Sequence, residues 1–101
     1  MSSVYILVVT SNATMDFGYD TYIVDASSNN VTLTLPDILG GDGANFIISR
    51  IDNSSNTVTI QVGNVNSLIN GSSSVTLAAH ENMRIAMVGN NWYTIAGVWA
   101  Q

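Results

Sequence analysis

"DASSNNVTLTL", residues 25–35, returns further along the chain as "DNSSNTVTIQV", residues 52–62. Both copies read Asp-x-Ser-Ser-Asn-x-Val-Thr-(Leu/Ile)-x-(Leu/Val), with Asp52 standing 27 residues after Asp25. In the first copy Val31, Leu33 and Leu35 share one face of an extended strand, and Thr32 and Thr34 share the other. The second copy repeats that alternation with Val58, Ile60 and Val62 inward. Each copy is led by an aromatic-bearing run, "TYIVD" and then "FIISRID". Two apolar runs joined by Asp, Ser and Asn read as a β-hairpin, because those side chains bond their own backbone and tolerate left-handed geometry. Asp25 and Asp52 are expected to close the two turns. A calcium site would need more converging oxygens than either turn holds.

Outward from the repeat the same grammar continues. Short β-branched and aromatic runs are cut by Gly, Asn, Asp and Ser every 8–12 residues or so, the pattern of an all-β chain. Strands are expected near 4–10, 20–25, 31–35, 45–52, 57–62, 73–78, 82–88 and 92–98. "YILVV" at 5–9 is apolar on both faces and therefore calls for cover on both, from a second layer or a neighbouring subunit. Asn70-Gly71 is a strong turn signal, and "MVGNNWYTI" reads as a tight hairpin tipped by Gly89, Asn90 and Asn91. The segment 35–45, with Pro36 ending a strand, is the longest irregular stretch. The expected fold is one all-β domain over 1–101, a compact antiparallel β-sandwich or jelly-roll-like arrangement of about eight short strands.

Composition narrows the function. Two arginines, no lysine and seven acids give a net charge of −5, which argues against nucleic acid and against anionic membranes. No apolar run reaches the length of a membrane span, and "MSSVYILVV" lacks the basic region of a signal peptide. The chain reads as a complete soluble protein. Without cysteine there is no disulfide or thiolate chemistry, and with one histidine, His80, a zinc site is not expected. His80 reads as a turn residue. The pairs Asp16/Asp20 and Asp37/Asp42 could serve a hydrolase, but aspartate is common in turns for local reasons. No catalytic, cofactor-binding or metal residue is assigned. Four Asn-x-Ser/Thr triplets, at Asn12, Asn30, Asn53 and Asn70, follow from the composition.

Nine charged side chains over the roughly 5,500 Å² expected of a monomer this size is about one per 600 Å². So few charges suggest that part of the surface is covered by other copies of the chain. Tyr19, Tyr22, Trp92, Tyr93 and Trp99 could stack on sugars, or fill a core or an intersubunit seam. Tyr5, Leu7, Val9, Trp92, Val98 and Trp99 are the expected seam. Asp37, Asp42 and Asn45 mark a candidate ligand-facing loop.

"YIVDASSNNVTLTLPD", "FIISRIDNSSNTVTIQV" and "INGSSSVTLAAHENMRIAMVGNNWYTI", in that order, resemble the small trimeric β-structured head domain of bacteriophage tail fibres and giant-virus surface proteins. The likeness spans about residues 20–96. Where that family carries a lysine pair this chain has Ser49-Arg50, and Val88 replaces an aspartate before the closing glycine. Both changes remove charge and fit a more buried setting. The resemblance implies a homotrimer and a non-enzymatic structural role at a virion surface, as a capsid-decorating or fibre-head component made in the host cytoplasm. Its partners would be copies of itself, other virion proteins or host-surface glycans. The alternative is a carbohydrate-binding adhesin or receptor-binding module that uses exposed aromatics.

Overall fold

The computed structural model describes residues 5–94 and the strand Trp99–Ala100. Ten strands follow one another: β1 (Ile6–Val9), β2 (Ala13–Thr14), β3 (Thr21–Val24), β4 (Val31–Thr34), β5 (Asn45–Arg50), β6 (Val58–Gln61), β7 (Ser74–Thr76), β8 (Glu81–Val88), β9 (Asn91–Thr94) and β10 (Trp99–Ala100). They form two sheets. One runs β1-β3-β5-β8-β10 with β9 also paired to β8, and the other runs β2-β4-β6-β7. No helix occurs among the described residues. The all-β, two-layer reading therefore holds, and seven of the expected strands recur within a residue or two; the eighth, 92–98, is described only as far as Thr94, and the short β2 and β10 are additional.

Strand direction is a correction. β1, β3 and β5 pair in parallel, and so do β2, β4 and β6. The repeated segments are consequently not hairpins. β3 and β4 belong to different sheets, and the Asp-Ser-Ser-Asn stretch carries the chain from one layer to the other. Three such coils stack, and the 27-residue offset of the repeat is the offset of β6 on β4 in the second and third coils, with Val31 against Val58 and Leu33 against Ile60. Antiparallel pairing begins where the repeat ends, with β7 on β6 and β8 on β5. A turn of Asx and Ser residues does not encode whether the second strand returns beside the first or crosses to a facing sheet.

Hydrogen bonds show what the repeated polar residues do. The Asn30 Oδ1 accepts the Thr57 N–H at 2.8 Å, and the Asn12 Oδ1 accepts the Thr32 N–H at 2.8 Å. Each asparagine thus serves the coil after its own. Asn56 Nδ2 donates to the Ala26 carbonyl at 2.6 Å, and Asn64 Nδ2 to Asp37 Oδ1 at 2.7 Å. Asp25 and Asp52 close their turns on the N–H groups of Ser27 and Ser54, as expected.

Apolar alternates of both sheets meet between the layers. Val24, Val31, Leu33, Leu35, Ile48, Val58, Ile60 and Ile85 are fully buried there with Tyr22, Phe46 and Trp92. The aromatic rings link up, Tyr22 edge-on to Phe46 and Phe46 tilted against Trp92, with centroids 6.0 and 6.1 Å apart. The Tyr22 hydroxyl donates to the Asp16 carbonyl and accepts the Asp16 N–H, and burial raises its pKa above 10.0. Asn70 and Gly71 both take positive φ, 48° and 87°, as a tight hairpin turn requires. His80, at φ 59°, occupies a turn as expected.

Candidate functional site

Arg50 is the chain's most heavily bonded charge. Last in β5 and only 4% exposed, it points into the end of the stack. Its Nε and Nη2 each donate to Asp52 at 3.1 Å, its Nη1 donates to the Leu77 carbonyl at 2.9 Å, and Nη2 reaches the carbonyls of Ser54 and Asn56. Asp52 in turn accepts the Ala26 N–H at 2.9 Å and the Ser54 hydroxyl at 2.6 Å. The guanidinium, against the cost of burial, holds the Asp52 carboxyl well below the usual carboxylate range, helped by Ser54 and the Ala26 N–H. With a partner on each guanidinium nitrogen of Arg50 and on both carboxylate oxygens of Asp52, this is a structural clamp on the last coil. A depression of about 260 Å³ lies beside it, lined among others by Arg50, Asn56, Thr76 and Glu81.

The carboxylates proposed for chemistry or ligand contact are engaged in loops. Asp42 accepts the Gly89 N–H at 2.6 Å, Asp37 accepts from Asn64, and Asp16 accepts the Gly18 N–H at 2.7 Å. Asp37, Asp42 and Asn45 are exposed, and Asn45 donates to the Gly43 carbonyl in its own loop. No group of three or more His, Asp or Glu side chains that could hold a metal is formed among the described residues. A larger depression, about 320 Å³, lies on the outer face of the β2-β4-β6-β7 sheet, between Asn12, Thr14, Thr32, Thr34 and Gln61. Its lining is uncharged.

The other sheet presents something different. On its outer face Ile6 pairs in register with Thr21, Ile47 and Arg84, and Val8 with Ile23, Ser49 and Asn82. Beyond them Ala86 lies opposite Tyr93, and Val88 opposite Asn91. Ile6 is 52% exposed, Val8 57%, Val88 61%, Tyr93 41% and Ile47 38%. Five strands abreast span about 20 Å at ordinary sheet spacing, so these apolar residues are spread across one broad face, interleaved with Thr21, Ser49 and Asn82 and bearing Arg84.

This geometry revises the expected seam. β1 is covered on one face, by the half-buried Leu7 and buried Val9, while Ile6 and Val8 are left open. Leu7 and Val9 thus belong to the inner layer. Tyr5 remains exposed. Trp92 is fully buried between the sheets and cannot line a seam or stack on a sugar, and Tyr22 is buried likewise. Val98 and the Trp99 side chain lie outside the described residues. Arg50 fits the buried setting expected of it, but Val88 does not. Apolar residues of opposite parity, as in "YILVV" and "FII", signal a strand with two apolar faces; which parity faces inward depends on the opposing sheet.

No protein-family model matches this chain, and no curated protein is significantly similar to it.

Proposed function

We propose that the protein is a non-enzymatic structural component that assembles with copies of itself, as a homotrimer, through the outer face of the β1-β3-β5-β8 sheet. The observation that carries this reading is the uncovered apolar face, in a chain whose accessible surface, 5425 Å², bears nine charged side chains. Burying such a face removes apolar area from water at about 25 cal/mol per Å². The order of motifs that resembles viral fibre heads supports placing the assembly at a virion surface, decorating a capsid or tipping a fibre.

Light scattering behind size exclusion tests the assembly. The wild type should run near three times 10.7 kDa, and the double variant Val8→Asp/Ile47→Asp should run as a monomer with an unchanged β-sheet circular dichroism spectrum. A wild-type monomer up to high concentration overturns the reading. Antibodies against the chain should label intact particles from cells that make it; label confined to disrupted particles removes the surface assignment.

A further inference from the structure

Resting on that assembly, we infer that Arg84 of one copy bonds to Asp20 of the next, and that this pair sets how the apolar faces register. Arg84 stands within the face, exposed, and makes no hydrogen bond or ion pair among the described residues. That leaves five N–H donors without a protein partner. Burying a guanidinium in that condition is strongly unfavourable, so the face can be covered only by a surface that brings an acceptor to Arg84.

The same face carries one. Asp20, immediately before β3, lines a notch of about 170 Å³ with Thr21, Asn45, Ile47 and Arg84. Its Oδ1 accepts the Tyr5 N–H at 3.1 Å and the Thr21 hydroxyl at 3.3 Å, which fixes the carboxylate in place. Its Oδ2 accepts no bond among the described residues. Within the chain Asp20 and Arg84 share the notch without pairing, since the ion pair among the described residues is Arg50–Asp52. Asp16, Asp25 and Glu81 each close a turn, and Asp37 and Asp42 tie their loop to Asn64 and to Gly89; Asp20 is the acid that lines the notch with Arg84. One Arg84 and one Asp20 per copy balance in any closed symmetric assembly, leaving no charge over at the seam. A partner surface without an acidic group at that position would be rejected, so the pair supplies specificity for the chain's own copies.

A double-mutant cycle on assembly tests this. Asp20→Asn keeps the acceptor for Tyr5 and removes the charge, and Arg84→Gln removes the guanidinium. Each should weaken the dissociation constant of the oligomer by about tenfold or more. The double variant should be no weaker than the worse single. Arg84→Lys should recover part of the loss, and added salt should weaken the wild type more than the double variant. Thermal unfolding of each variant, measured below the assembly concentration, should match the wild type. Singles that assemble like an oligomeric wild type overturn the pair and leave the assembly standing, as do single losses that simply add in the double variant. A wild type that never assembles overturns both.

Discussion

Arg50 occupies the register position in the third coil that Val24 holds in the second. An apolar side chain suffices inside the stack, where the next coil satisfies the ladder. At the last coil the carbonyls of Ser54, Asn56 and Leu77 need a donor, and a planar guanidinium offers several at once. Arg50→Ala would leave Asp52 buried and unpaired, and should lower unfolding free energy by about 3–5 kcal/mol in urea titration. The folded-state pKa of Asp52 lies below its unfolded value of about 3.9. Between the two the unfolded chain binds the extra proton, so stability rises with pH there. The contribution is therefore present above the unfolded value and lost as pH falls from about 5 toward the folded one. Asp52→Asn should flatten that acid slope of stability. Gly63 is a different case: a β-carbon there would stand 2.1 Å from the Leu35 carbonyl oxygen. Neither backbone can yield cheaply, and Gly63→Ala should cost about 1–3 kcal/mol or more by the same titration.

The coil is the unit that the repeat encodes. Val-Thr-(Leu/Ile) strands stack in register because like residues pack on like, and each coil buries the apolar alternates its neighbour leaves open. The polar residues make that register specific. Asn30→Ala would strip the Thr57 N–H of its acceptor and should destabilise the fold by about 1 kcal/mol, read as a lowered urea midpoint at constant slope. Asn30→Asp should be milder, since a carboxylate still accepts that bond. Strand positions and inward faces were legible from period-two alternation, as "VTLTL" and "VTIQV" show. Parallel stacking was not, because a turn closed by Asp on a Ser N–H looks the same whether the chain doubles back or changes layer.

Two stacked sheets leave two outer faces, and they differ in chemistry. One is a neutral field of threonine, asparagine and glutamine around Thr14, Thr34 and Gln61. The other carries Ile6, Val8, Ile47, Val88 and Tyr93 in the open. If copies associate through the second, native assembly couples to folding, and the thermal midpoint of the wild type should rise with protein concentration. That of Val8→Asp/Ile47→Asp should stay constant, because exposed positions contribute little within one chain. Differential scanning across a hundredfold concentration range would show the contrast.

The sequence by itself determined the all-β class, the strand positions, the inward alternates and the turns at Asn70-Gly71 and Gly89. These rest on short-range physics: side-chain period, the φ a residue tolerates, and the bonds an Asx side chain makes to its own backbone. Tertiary structure alone decided that the repeat stacks in parallel and that Trp92 belongs to the core. It likewise decided that Arg50 is a clamp and that Ile6 and Val8, rather than Leu7 and Val9, face outward. Each of those depends on which distant segment lies opposite, and a strand apolar on both sides has no local feature that says which side will be covered.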